Sequence, residues 1–183
     1  NKGDFAIVDS IAKKGSWGRR LKKAKKQADD VAEDLLSSYA ERSKVSCAPF
    51  VVDPVLESAF LANFPYKDTT DQSLVWKEIK KDLESPTPMD RLLCGDVGFG
   101  KTELSIRAAF LSAVSGGKTL VLAPTTILAK QLHNSFTSKL NDVGVDCQLL
   151  TRFVSASLEK KVVDNYVGGL CDVLISTHKA IFK

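Results

Sequence analysis

The stretch Arg91-Leu-Leu-Cys-Gly-Asp-Val-Gly-Phe-Gly-Lys-Thr-Glu103 decides how the rest of the chain is read. Gly95, Gly100, Lys101 and Thr102 fill the G-x-x-x-x-G-K-[ST] phosphate-loop pattern. A backbone that curls around phosphates must turn its N–H groups inward, which glycine allows because it accepts φ > 0 and carries no Cβ. Lys101 then reaches the β/γ-phosphates, Thr102 offers its hydroxyl to Mg²⁺, and the helix beginning here adds the positive end of its dipole. The apolar run Arg91–Cys94 reads as a short buried strand, and Leu104, Ala108, Leu111 and Ser115 follow at helical spacing. Strand, glycine loop and helix is the order the chemistry needs. The competing reading is an ordinary glycine-rich turn with a chance Lys-Thr.

Immediately upstream, Phe64-Pro-Tyr-Lys-Asp-Thr-Thr-Asp-Gln72 carries two readings. Thr69 and Gln72 stand three apart at the start of a helix whose expected inner face is Leu74, Val75, Ile79 and Leu83, which makes a capping box. The Gln72 carboxamide also offers the acceptor and donor pair that grips an adenine edge, with Phe64 stacking on the ring. Before this block, Asp53-Pro54 reads as N-cap plus N1 proline for a short helix with Leu56, Phe60 and Leu61, stopped at Phe64-Pro65.

From Ser16 to about Arg42, the residues Trp17, Leu21, Ala24, Ala28, Val31, Leu35 and Tyr39 recur at three- and four-residue steps. Ser16 suits the N-cap, and the helix would run about 26 residues, roughly 39 Å. Lys13, Lys14, Arg19, Arg20, Lys22, Lys23, Lys25 and Lys26 crowd its start, where the helix dipole disfavours cations, and Asp29, Asp30, Glu33 and Asp34 follow. Two readings stand: a solvated basic face, or contact with nucleic acid or an acidic protein surface. Phe5–Val8 alternates like a strand. The expected organisation is a remnant of an upstream domain over 1–14, a long linker helix over 15–48 and a nucleotide-binding domain over 49–183.

Downstream of the loop helix, Gly116-Gly117 is a stop, and Thr119–Ala123, Val143–Leu150 and Cys171–Ser176 read as strands. Helices are expected after Thr126, around Leu128, Leu132, Phe136 and Leu140, and over Ser155–Tyr166. Alternating strands and helices with buried strands make an α/β fold, a parallel sheet covered by helices. Ligands gather at the carboxyl ends of such strands, the edge expected for the loops at Gly95, Pro124, Thr151 and Thr177.

Composition limits the alternatives. The 183 residues are 44% hydrophobic and 26% charged with a net charge of +4, as in an ordinary globular domain. No apolar run approaches a membrane span, and the first residues lack a signal-peptide shape. Cys47, Cys94, Cys147 and Cys171 lie far apart with no C-x-x-C, which suits buried thiols in a reducing compartment. With only two histidines, a metal centre or a Ser/His/Asp triad is not expected.

Gly-Asp-Val-Gly-Phe-Gly-Lys-Thr-Glu, Pro-Thr-Thr-Ile-Leu-Ala-Lys-Gln, Thr-Arg-Phe-Val-Ser-Ala and Ile-Ser-Thr-His-Lys resemble motifs I and Ia, a DNA-contact motif and the loop before motif II of superfamily 2 DNA translocases. Phe99, the Phe-Pro-Tyr…Asp-Gln block and the Trp17-Gly-Arg-Arg-Leu-Lys-Lys helix are similar to the bacterial transcription-repair coupling factors, over about residues 12–183. The resemblance implies a RecA-like P-loop lobe preceded by a long basic helix, in an ATP- and Mg²⁺-dependent motor on double-stranded DNA. Implied partners are RNA polymerase and nucleotide-excision repair proteins, in the bacterial cytoplasm near the nucleoid and away from membranes.

Carried over, Phe64 and Gln72 would hold adenine. Gly95, Asp96, Val97, Gly98, Phe99, Gly100, Lys101, Thr102 and Glu103 would hold phosphates and Mg²⁺, with Lys101 and Thr102 catalytic. Thr125, Thr126, Arg152, Thr177 and His178 would contact the DNA backbone, which hydroxyls, an Arg and helix N-termini suit without any base code. The expectation is also that the sequence stops before the acidic motif II and the second lobe, so that this stretch alone turns over ATP at background rate. Fork-reversing helicases share these motifs but usually carry a small residue at the Phe99 position. A non-hydrolysing interaction module is another alternative. A small-molecule P-loop kinase explains neither Gln72 nor Pro124-Thr-Thr.

Overall fold

The computed structural model describes residues 16–64 and 67–178. It divides into two compact units, one ending at Val45 and the other beginning at Ser46. The expected Phe5–Val8 strand lies outside the described residues, as does the Ser16 side chain. The first unit contributes helix α1, Ser16–Arg42, whose 27 residues match the apolar periodicity read from the sequence. Trp17, Leu21, Val31, Leu35 and Tyr39 are exposed along it.

The second unit contains α2 (Pro54–Ala62), α3 (Thr70–Leu83), α4 (Lys101–Val114), β1 (Thr119–Leu122), α5 (Thr126–Leu140), β2 (Cys147–Leu150), α6 (Ala156–Gly168) and β3 (Val173–Ser176). Local chemistry sets the helix starts. The Asp53 carboxylate accepts from Val55 N with Pro54 at N1, and the Thr125 and Ser155 hydroxyls accept from Leu128 N and Leu158 N. Before α2, the chain from Ser46 runs back along the end of α3, with Cys47 N donating to Pro86 O and Phe50 N to Leu83 O.

The strands are parallel in the order β1–β3–β2. β3 is central and buried on both faces, as a parallel strand covered by helices must be. Its period of two sends Val173 and Ile175 into the main core with Ile106, Phe110, Ala129 and Phe136 of α4 and α5, and Leu174 to the opposite side with Leu150 and Val162 of α6. On β1, Val121 packs against the main core while Leu120 and Leu122, on the alternate pleat, stay exposed.

Several expectations change. Arg91–Cys94 is not a strand, because β1 pairs only with β3 and no described strand offers 91–94 a ladder. The run is instead tied to α3, Arg91 pairing with Glu78 at 2.5 Å and with Asp82 at 2.7 Å. The second strand starts later than read, at Cys147, because Asn141–Val143 forms a 3₁₀ turn. On α3 the inner face centres on Trp76 and Ile79 and leaves Leu74 exposed. Helix α4 is buried on two faces: Leu104 and Leu111 meet Trp76 and Ile79, while Ile106, Ala109 and Phe110 meet the sheet layer. Cys47 and Cys94 are exposed, so only Cys171 fits the expected buried thiol fully, with Cys147 half-buried and all four free.

Candidate nucleotide-binding site

The phosphate loop opens α4. Gly98 and Gly100 have φ of +88° and +73°, a left-handed backbone that only glycine adopts without strain. Gly100 is the N-cap, and no side chain caps the helix. Glu103 N donates to Gly100 O at 2.9 Å, so the amides of Lys101 and Thr102 are the ones turned to a ligand, which suits an anion. Lys101 Nζ folds back onto Gly95 O at 2.5 Å and Asp96 O at 2.6 Å. That ammonium contributes the positive charge a phosphate would draw on, and Thr102 follows it in the first turn. Mg²⁺ with a nucleoside triphosphate would fit this donor set, Thr102 offering a hydroxyl oxygen to a metal held mainly by phosphates and water. Among the described residues no His/Cys/Asp/Glu group is arranged to hold a metal by itself. Val97 and Phe99 are exposed on the loop.

Gln72 joins α3 to this loop. The capping box is formed: Gln72 N donates to Thr69 Oγ1 at 3.2 Å and Thr69 N to Gln72 Oε1 at 2.8 Å. In addition Gln72 Nε2 donates to Phe99 O at 2.9 Å. A carboxamide has two N–H donors and two acceptor lone pairs, so one of each remains for a ligand edge. Capping and base recognition are thus compatible in one side chain. A Cβ on Gly100 would lie 2.5 Å from Gln72 Nε2, so a side chain there would push the carboxamide aside.

Phe64 is 9% exposed, edge-on to Phe60, with the Arg107 guanidinium 4.9 Å and Lys139 Nζ 5.1 Å from its ring centre. Its ring lines an open cavity of about 530 Å³ together with Leu61, Lys67, Asp68, Ser73 and Arg107. Asp68 and Arg107 had no role in the sequence reading. Arg107 Nη1 and Nη2 donate to the two Asp68 carboxylate oxygens at 2.7 and 2.6 Å. That fork holds the Asp68 carboxyl below its ordinary pKa, through the hydrogen bond first and charge second, against the opposing effect of burial. A charge inside the apolar run Ile106-Arg-Ala-Ala-Phe110 was the available signal.

The DNA-contact candidates follow the strands. Leu122 and Leu150 both align with Ser176, so the chain leaves all three strands at the same level. Thr125, Arg152 and His178 are exposed there and Thr126 is half-buried. Thr177 is buried, so the surface of this edge is carried by its neighbours. Arg152 stacks on Phe153 at 4.9 Å. No described helix is long and apolar enough to cross a membrane.

The chain is 38% identical over 176 residues to the transcription-repair-coupling factor of Borreliella burgdorferi and 40% identical over 167 residues to that of Bacillus subtilis. These matches cover 96% and 91% of this chain but only 16% and 14% of those proteins. A solved structure of RecG bound to a three-way DNA junction superposes with a TM-score of 0.74 at 32% identity, over 80% of this chain and 20% of that one. Residues 69–183, which begin at the N-cap of α3 and include the phosphate loop and the three described strands, match the DEAD/DEAH box helicase model. With a RecA-like parallel sheet and a phosphate loop opening the helix beside it, this chain belongs to the DEAD/DEAH box helicase family.

Proposed function

We propose that the chain is the nucleotide-binding front of an ATP-driven translocase on double-stranded DNA that serves transcription-coupled repair. One observation carries the reading: a phosphate loop with an uncapped helix start, held by a glutamine that retains a free donor and acceptor for a base. Lys101 and the loop amides hold the β/γ-phosphates, Thr102 orients Mg²⁺, and Gln72 with Phe64 reads adenine. Bound Mg²⁺ would neutralise charge on the phosphates. Thr125, Thr126, Arg152 and His178 form the DNA-facing edge, with Thr177 buried at the same edge. RNA polymerase and nucleotide-excision repair proteins are the proposed partners, in the bacterial cytoplasm near the nucleoid. In domain terms, α1 is the linker helix of the expected 15–48 stretch, and the unit from Ser46 onward, slightly longer than the expected 49–183, belongs to the first motor lobe.

A fork-reversing helicase is the second reading, favoured by the likeness to RecG. Phe99 and the basic start of α1 favour the repair-coupling reading. Equilibrium binding of a fluorescent ATP analogue with Mg²⁺, on the chain and on Lys101→Ala, tests the site. Saturable binding abolished by the substitution is expected, and equal binding by both proteins would refute it.

A further inference from the structure

We infer that Arg107 and Asp68 form a positioning pair that sets base selectivity at this site, an inference that rests on the proposed nucleotide-binding role. Arg107 lies six residues after Lys101 on α4, about 9 Å along the same rigid helix. Its guanidinium is buried at 3% exposure, forks onto Asp68, and lies between the rings of Phe64 at 4.9 Å and Trp76 at 5.9 Å. Nε has no hydrogen-bond partner among the described residues, so the Asp68 fork is the contact that offsets the desolvated charge. Asp68 directly precedes Thr69, the hydroxyl end of the capping box that holds Gln72.

These links close a circuit. The helix that carries the phosphate loop grips Asp68, Asp68 fixes the start of α3, and Gln72 on α3 returns to the loop at Phe99 O. The circuit meets phosphate chemistry at one end and the Phe64 cavity at the other. Breaking the fork releases Asp68, and with it Thr69, from α4 while leaving the loop's glycines and Lys101 untouched. Base contacts are then misplaced and phosphate contacts are not. Neither side chain is a catalytic residue, since both act through Gln72 and Phe64.

The test measures binding of Mg–ATP, Mg–GTP and Mg–tripolyphosphate to the full 183-residue chain and to Lys101→Ala, Arg107→Met, Arg107→Lys and Asp68→Asn. Wild type is expected to prefer ATP. Arg107→Met and Asp68→Asn should each lower ATP affinity on the order of tenfold, as loss of a supporting partner does, and erase the preference over GTP. Tripolyphosphate affinity should stay within about twofold, the scatter of uncoupled sites. Arg107→Lys, which keeps the charge without the fork, should fall between. Thermal melting confirms which variants fold, and Asp68→Asn and Arg107→Lys carry the test if Arg107→Met does not. An unchanged ATP-to-GTP ratio in a folded variant overturns the inference, as does a parallel loss of tripolyphosphate binding, which would mean a merely structural pair. If Lys101→Ala binds as wild type does, the nucleotide site itself is refuted and the inference falls with it; if only the ratio fails to move, the site stands and the pair does not.

Discussion

Gly100→Ala probes the junction between the phosphate loop and Gln72. Gly100 sits at φ +73°, where a residue with a Cβ pays about 1–2 kcal/mol. The new methyl would stand 2.5 Å from Gln72 Nε2, so the carboxamide must leave and its 2.9 Å hydrogen bond to Phe99 O is lost, about 1 kcal/mol more. Alanine's stiffer unfolded chain returns about 0.4–1 kcal/mol, leaving a net destabilisation of roughly 1–2.5 kcal/mol. Urea unfolding of wild type, Gly100→Ala, Gln72→Ala and the double variant separates these contributions. In the double variant the methyl has no carboxamide to displace and only backbone strain is added, so the two effects should fall short of additivity by about 1 kcal/mol. ATP-analogue binding should follow the same order, since the carboxamide that moves is the one proposed to read the base. Additive effects within about 0.3 kcal/mol, or a Gly100→Ala protein as stable as wild type, would refute the coupling.

Three further outcomes follow from the same structure. Asp68→Asn should destabilise the protein at neutral pH by roughly 1–3 kcal/mol, the cost of leaving Arg107 poorly paired. Because the folded carboxyl titrates below its ordinary 3.8, that difference is fully present above 3.8 and shrinks as pH falls towards the depressed folded value, with Lys67 as the other charge lining the cavity. Urea unfolding of both proteins from pH 7 downward reads it, and a difference that grows on acidification would contradict the sign. In thiol labelling at pH 8, Cys47 and Cys94 should react quickly, whereas Cys147, pushed up to about 12 by burial, and Cys171, pushed up to about 11, should wait for unfolding. Fast labelling of Cys171 in the native protein would contradict the packing. Replacing Lys22, Lys23, Lys25 and Lys26 by Gln should reduce the salt slope of duplex-DNA binding by up to about 3–4, and an unchanged slope would remove α1 from the DNA interface.

How much of this was legible in the sequence depends on the range of the forces involved. Helix α1, the Asp53-Pro54 start of α2, the Thr69–Gln72 capping box and the loop ahead of α4 were readable because caps, glycine conformations and the 3.6-residue period act within a few positions. The three strands and their parallel pairing were readable from apolar runs alternating with helices. Arg91–Cys94 was not, since a strand exists only when a neighbour completes its ladder, and apolar content cannot report that neighbour. Trp76 in place of Leu74, and the second buried face of α4, depended on which elements dock around each helix.

The same division runs through the site. By itself the sequence determined the glycine loop and the start of α4 at Lys101, because a local pattern of glycines ahead of a helix is sufficient to shape it. Only the tertiary structure joined Gln72 to Phe99 and Arg107 to Asp68, across 27 and 39 positions of chain. The physical reason is that hydrogen bonds and ion pairs form between groups the packed core brings within about 3 Å, and no local period encodes which distant groups those are.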